Sequence, residues 1–160
     1  PKNKDKSIFY NNWLDIDINN FEVCKINDND WTEILEVKKA VSKSLEEKRV
    51  DNIIGSSLEA DVTIYCSDEL YNILSELGKE LKFIFITSNA YLKNINEKEN
   101  SKLISINNHD IFIEIVKSEN CKCERCWHKC ASVGINKKYE NICERCISNV
   151  YGDGEFRRNV

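Results

Sequence analysis

Four cysteines form two pairs with the two-residue spacing that is typical of metal knuckles. Cys123 pairs with Cys126, and Cys143 pairs with Cys146. A two-residue spacer lets both thiolates of a pair point at one centre, and the sixteen residues between the pairs are enough for a connecting hairpin. Four soft sulfur ligands in a tetrahedron suit Zn²⁺. The spacing therefore predicts one structural zinc ion per chain, without the open coordination position of a catalytic site.

Three further potential ligands lie close to these knuckles. Cys121 is separated from the first knuckle by one residue, an awkward spacing for tetrahedral chelation, and His128 and Cys130 follow the same knuckle. One of them could replace a knuckle cysteine, but we expect all three to lie outside the ligand set. Cys24 and Cys66 are interpreted as small buried or half-buried side chains.

Two side chains of the first knuckle could contact RNA. Trp127 could cover the metal site, or it could stack on an unpaired base, as aromatic side chains do in single-strand binders. Arg125 could be a solvated charge or an anchor for a phosphate or a base edge. Further cations follow in the sequence: Lys137, Lys138, Arg145, Arg157 and Arg158. On a rigid metal knuckle beside an aromatic ring, such charges together predict a surface that faces RNA.

The composition narrows the classes of function and of partner that the chain could have. The chain has 160 residues, with 23 basic and 27 acidic side chains and a net charge of −4. From Lys117 onward there are nine basic and six acidic side chains, so this end is the better candidate for contact with a polyanion. No apolar run is long enough to cross a membrane, and no signal-like segment is present, so the eight cysteines favour cytosolic metal binding over disulfides.

No constellation typical of catalysis is visible. The sequence contains no phosphate-binding glycine loop, and only His109 and His128 could serve a Ser/His/Asp arrangement. Gly152 and Gly154 are interpreted as a turn. The chain contains no Met and begins at Pro1, which suggests a piece of a longer protein.

The elements before the knuckles are predicted from periodicity. A helix is expected from Asp30 to Arg49, capped by Asp30 with Glu33, and its apolar stripe consists of Trp31, Ile34, Leu35, Val41 and Leu45. Alternation predicts a half-buried strand over 60–66, with a helix from the cap Ser67 to Gly78. Residues 1–29 could be the tail of an element that lies upstream.

The remaining segments complete an α+β prediction. The apolar run 81–86 indicates a second strand, the polar stretch 88–102 a flexible connection, and 103–106 with 111–116 a hairpin. We expect a helix packed on a small α/β unit, followed by a zinc-ribbon-like module. That module offers few apolar residues, so it needs its metal to fold.

These segments together resemble the C-terminal end of bacterial isoleucyl-tRNA synthetases. The resemblance includes the helix 31–49, the stretches 54–60 and 80–88, and the two knuckle segments 122–128 and 142–155. The Gly-Ser-Leu-Glu type of element is shared with related synthetases and is moderately specific. The knuckles with their Arg, Trp and Ser-Asn-Val neighbours are highly specific.

The resemblance implies a class I enzyme of the cytoplasm, monomeric, that activates isoleucine with ATP and transfers it to tRNA(Ile). It implies three parts: residues 1–50 end a helical anticodon-binding domain, 51–116 form an α/β junction domain, and 117–160 form a zinc-binding module that contacts the anticodon loop. Cys123, Cys126, Cys143 and Cys146 would hold zinc, and Arg125 and Trp127 would face the anticodon. ATP and isoleucine would bind upstream, so this piece is expected to be non-catalytic. Neither DNA nor a membrane is an expected partner.

Two other classes of protein would also explain the cysteines. A DNA glycosylase has a similar zinc finger and uses an N-terminal Pro followed by Glu, but here Lys2 follows Pro1. A zinc-ribbon adaptor of transcription or translation would explain the missing catalytic groups, but not the resemblance over 30–88.

Overall fold

The computed structural model describes residues 25–97 and 103–159, and the predicted α+β architecture is confirmed there. The helices are α1 Asp28–Val50, α2 Asp68–Ser75, α3 Leu81–Phe85 and α4 Glu144–Tyr151. The strands are β1 Ala60–Cys66, β2 Asn89–Asn94, β3 Ile104–Ile106 and β4 His109–Lys117. Short 3-10 turns occur at Ser57–Glu59, Gly78–Glu80 and Ile95–Glu97. Of the first predicted segment, 1–29, residues 1–24 lie outside the described residues.

Helix α1 begins two residues earlier than its sequence pattern predicts. The cap is Asn27: its Oδ1 accepts from the Asp30 amide at 3.0 Å, and Asp30 Oδ2 accepts from the Asn27 amide at 3.1 Å. The capping box is therefore real, but Asp30 is its third helical residue and not its cap. The buried positions of α1 are Ile34, Val37, Val41 and Leu45. Leu35, which was predicted in the stripe, is 53% exposed, because Val37 takes its place on the buried face.

Strand β1 lies at the centre of a four-stranded mixed sheet with the order β2-β1-β4-β3. It pairs in parallel with β2 and antiparallel with β4, so that Val62 lies beside Ala90 on one side and Ile115 on the other. Alternating apolar residues of β1 are fully buried, as predicted: Ala60, Val62, Ile64 and Cys66. Tyr65 on the opposite face is also buried, because the Phe112 ring packs against it at 5.7 Å between ring centroids.

The segment between β1 and β2 differs from its prediction. Residues 81–85 form helix α3 and not a strand, and the helix ends at Ile86 in the left-handed region with φ 57°. The polar stretch that follows, predicted to be a flexible connection, contributes the edge strand β2. An edge strand needs apolar residues on one face only, and here Ala90 and Leu92 pack against the core. The hairpin of β3 and β4 is confirmed.

One apolar core joins the helices to the sheet. Helix α1 packs against β3 and β4, α2 and α3 pack against β2, and α1 also contacts α2 and α3. We call this body, residues 25–97 and 103–117, the α/β unit. The knuckle cysteines form a second, separate buried cluster with Val133 and Ile142. The boundaries at residues 50 and 116 remain predictions. Across the described ranges, no helix has the length and apolar character that crossing a membrane requires.

Candidate metal centre

The structure brings the four knuckle thiols together. Their sulfur atoms all lie within 4.8 Å of one another. Cys123 Sγ is 3.8 Å from Cys146 Sγ, and Cys126 Sγ is 3.8 Å from Cys143 Sγ. A tetrahedron with Zn–S bonds of about 2.3 Å has edges of about 3.8 Å. The spacing of the sulfur atoms therefore fits a Zn²⁺ ion at their centre.

Two different local structures present these sulfurs. The first knuckle is a tight hairpin in which the Cys123 amide donates to His128 O and the Trp127 amide donates to Cys123 O, both at 2.9 Å. Its reversal places Trp127 in the left-handed region with φ 66°. The second knuckle begins helix α4, with Cys143 at the N-cap and Cys146 in the first turn. A backbone hydrogen bond joins the two knuckles: the Glu124 amide donates to Asn141 O at 3.0 Å.

Burial and backbone donors set the charge of the thiols. Cys123, Cys143 and Cys146 are at most 1% exposed. Burial disfavours the Cys123 thiolate, but amide donors, including that of Cys143 at 3.3 Å, outweigh it and lower its pKa to about 6. Burial raises the pKa of Cys143 to about 11 and that of Cys146 to about 12. A bound Zn²⁺ stabilises thiolates, so metal binding would release the protons that these groups hold.

Each knuckle has an arginine between its two cysteines, and that of the first knuckle contacts a sulfur of the second. Arg125 Nη1 donates to Cys146 Sγ at 3.6 Å. For Arg145, burial opposes the charge, but hydrogen bonds to Cys126 and Glu155 outweigh burial and raise its pKa. The repeated Cys-Glu-Arg-Cys sequence thus places one arginine between the two cysteines of each knuckle. Arg145 was predicted to belong to a surface that faces RNA, but its side chain is only 22% exposed.

The three neighbouring candidates lie outside the group of four sulfurs. Cys130 is half-buried and packs against that group, whereas Cys121 is exposed. His128 is half-buried, and its Nδ1 lies 3.1 Å from Cys126 O. Burial lowers the pKa of its ring, and the nearby cations Arg145, Lys82 and Arg157 lower it further, which favours neutral imidazole. Elsewhere, Cys66 is buried as predicted, and Cys24 is outside the described residues.

The predicted RNA contacts, Arg125 and Trp127, are both exposed. The Trp127 side chain is 60% exposed, and Lys122 Nζ lies 5.3 Å from its ring centroid. A second aromatic feature, which was not predicted, is the stacked pair of Tyr139 and Tyr151, with ring centroids 4.3 Å apart. The two rings are twelve residues apart in the sequence, so no local pattern predicts their contact.

Comparisons with known proteins show what this chain is similar to. Residues 122–149 match the family described as a zinc finger found in FPG and IleRS. Over 159 residues, 99% of the chain, it is 36% identical to isoleucine–tRNA ligase of Idiomarina loihiensis and 38% identical to that of Aliivibrio fischeri. The chain is similar to one segment of isoleucine–tRNA ligases. The enzyme of Francisella philomiragia is 40% identical over 159 residues, 98% of the chain.

The similarity to isoleucine–tRNA ligase confirms the resemblance found in the sequence, and it extends well beyond the finger. The chain spans only 16–17% of the length of these relatives. The finger match and the tetrahedral sulfur spacing agree, and together they support zinc binding by this chain.

Proposed function

We propose that this chain is the zinc-binding, tRNA-contacting part of an isoleucine–tRNA ligase. In this proposal one Zn²⁺ is held by Cys123, Cys126, Cys143 and Cys146, and the knuckle that it fixes meets the anticodon loop of tRNA(Ile). Activation of isoleucine with ATP belongs to another part of the ligase. The parent enzyme acts as a monomer in the cytoplasm. The observation that carries the proposal is the set of four sulfurs at tetrahedral spacing directly beside the exposed Trp127.

The first knuckle supplies the recognition surface in this proposal. When bound, zinc fixes the positions of its ligands, so the backbone between Cys123 and Cys126 cannot rearrange when RNA approaches. Trp127 follows a ligand directly, and the left-handed backbone at this residue is held by the hydrogen bond to Cys123 O. A ring held in this way loses little entropy on stacking against an unpaired base.

Arg125 can serve the metal centre and RNA together. Its guanidinium has five N–H donors, and one contact to Cys146 leaves others for a phosphate or a base edge. Because Arg125 remains exposed, both contacts are sterically compatible. The sulfur contact also limits the rotamers of a long side chain, which reduces the entropy lost on binding.

The alternative as a DNA glycosylase finger has less support. The finger family includes both groups of proteins, so residues 122–149 alone do not discriminate between them. The match to isoleucine–tRNA ligases covers 159 residues, which a shared finger does not explain. We therefore assign the RNA role to this finger.

Metal analysis and RNA binding test the proposal together. Elemental analysis with thiol titration of the purified chain should give one zinc and no disulfide. Fluorescence anisotropy should then show tighter binding of a tRNA(Ile) transcript than of the same transcript with its anticodon replaced. An assay of isoleucine-dependent ATP–pyrophosphate exchange should show no turnover. Folded, metal-free protein would overturn the zinc assignment, and equal affinity for the two transcripts would overturn the anticodon assignment.

A further inference from the structure

Arg145 occupies a junction between the metal centre and the rest of the molecule. Its side chain is only 22% exposed. On one side it lies within the second knuckle, between the sulfur-bearing residues Cys143 and Cys146. On the other side Nη1 donates to Glu155 Oε1 at 3.0 Å, and the guanidinium carbon lies 5.1 Å from the Phe83 ring centroid. One cation of the zinc finger thus contacts both the C-terminal residues and helix α3.

Phe83 is the part of the α/β unit that receives this contact. Arg157 also stacks on its ring, with the guanidinium carbon 3.9 Å from the centroid. The His128 ring meets Phe83 edge-on at 5.9 Å between centroids. A half-buried aromatic ring between cations gains electrostatic attraction as well as apolar burial. Phe83 therefore anchors the finger to α3.

The C-terminal residues 152–159, here called the strap, complete the junction. Glu155 Oε1 accepts from Arg145, from Asn149 and from Arg157, the last at 2.7 Å. Burial disfavours the charged carboxylate, but these three donors outweigh burial and lower the pKa of Glu155. Farther along the strap, the Arg158 and Asn159 amides donate to Glu80 at 2.5 and 2.7 Å. The strap thus runs from the finger back to the start of α3.

Arg125 provides the natural comparison. It occupies the same place in its Cys-Glu-Arg-Cys knuckle and contacts a sulfur of the opposite knuckle. Four thiolates around one Zn²⁺ carry a formal charge of about −2, which two such cations would balance. Within residues 25–97 and 103–159, Arg125 makes no hydrogen bond, ion pair or ring contact with α3 or the strap. The two arginines therefore share the same place in their knuckles, and Arg145 also contacts α3 and the strap.

We propose that Arg145 is a positioning residue that joins the zinc centre to the α/β unit through Phe83 and Glu155. This inference rests on the zinc binding proposed above. When bound, zinc would keep the sulfurs of both knuckles in place. The contacts of Arg145 with Phe83 and Glu155 would then restrain helix α3 and the strap as well. The direction in which Trp127 faces RNA is then fixed by residues outside the finger itself.

Hydrogen–deuterium exchange on the full zinc-loaded chain tests this coupling. In Arg145→Gln we expect exchange to rise roughly tenfold in peptides covering 80–86 and 152–159, since a charge-assisted hydrogen bond and a cation–π contact are lost. Arg125→Gln and Arg145→Gln should weaken zinc retention against a chelator to a similar degree. Arg125→Gln should, however, leave exchange in these peptides unchanged. Strand β1 peptides serve as the internal reference.

Two further measurements separate coupling from unfolding. In Phe83→Ala, exchange of the strap should rise while zinc retention stays as in the unaltered chain. Removing zinc from the unaltered chain with a chelator should raise exchange at 80–86, which lies outside the finger. The inference is wrong if Arg145→Gln and Arg125→Gln give the same exchange pattern, or if zinc removal leaves 80–86 unchanged. A chain that never binds zinc would instead overturn the proposed function.

Discussion

The side-chain oxygen of Ser88 accepts a hydrogen bond from the backbone amide of Lys129 at 2.6 Å. The same hydroxyl donates to Leu58 O, also at 2.6 Å. Lys129 Nζ in turn donates to Ser118 O at 2.8 Å. Ser88 is fully buried. Through these two hydrogen bonds its hydroxyl joins the residue before β2, the turn before β1 and the first knuckle. The first knuckle is thus tied to the sheet independently of Arg145.

Replacing this hydroxyl should be costly. In Ser88→Ala the Leu58 carbonyl and the Lys129 amide lose their partner in a buried place, so we expect a loss of about 1–3 kcal/mol in the free energy of unfolding. Urea denaturation of the zinc-loaded chain measures it. Ser42→Ala is the matched control, because the Ser42 hydroxyl donates to Lys38 O on an exposed helix surface. Equal effects of the two substitutions would contradict the linking role of Ser88.

Loss of one knuckle sulfur should abolish metal binding. In Cys143→Ser a hard oxygen replaces a soft ligand, so we expect zinc content to fall from about one per chain to near zero and the finger to lose order, because structural zinc supplies about 10–16 kcal/mol in finger peptides. Elemental analysis and exchange of peptides within 121–151 report both effects. Cys121→Ser, at an exposed position outside the sulfur group, should retain zinc. If Cys121→Ser lost zinc as well, the ligand set would have to be revised.

Trp127 should contribute to RNA affinity more than to stability. Its ring is 60% exposed, so Trp127→Ala removes little buried area, whereas loss of a stacked base costs about 1–3 kcal/mol, or roughly 5- to 150-fold in affinity for tRNA(Ile). Fluorescence anisotropy on zinc-loaded protein measures the affinity. Tyr91→Ala removes another exposed aromatic ring, on the edge strand β2, and should leave the affinity unchanged. Loss of zinc in Trp127→Ala, with normal affinity per folded molecule, would show that the ring only covers the metal site.

The sequence predicts those parts of the molecule whose signals are local. The Cys-x-x-Cys pairs specify the sulfur cluster because the spacing itself limits where the thiolates can point. The alternation in β1 and the apolar repeat of α1 likewise follow from burial of one face. The prediction that Leu35 belongs to the buried stripe is wrong, because apolar character alone does not imply burial and exposed apolar residues are common.

The failures occur where tertiary contacts decide. The run 81–86 is apolar enough for a buried strand, but it forms helix α3, whose end is the left-handed Ile86 and not a glycine. Such a conformation is rare for a β-branched residue, so no residue type at this position predicts the end of a helix. The contact of Arg145 with Phe83 joins residues far apart in sequence, and only the folded chain reveals it.

The buried thiol of Cys66 makes part of the stability depend on pH. Burial, and then the Asp68 carboxylate, raise its pKa from 9.0 to about 11. The unfolded chain therefore loses this proton at lower pH than the folded chain does. The resulting stabilisation is fully present below pH 9 and is lost as the pH rises towards 11, a change of about 2–3 kcal/mol.

A comparison with Cys66→Ala isolates this effect. Alanine cannot ionise, so its cavity cost is the same at every pH, while groups common to both chains cancel in the difference. We expect the stability gap between the two chains, measured by urea denaturation of zinc-loaded protein, to shrink between pH 9 and pH 11. A gap for Cys66→Ala that stays constant over this range would mean that Cys66 ionises as readily in the folded chain as in the unfolded one.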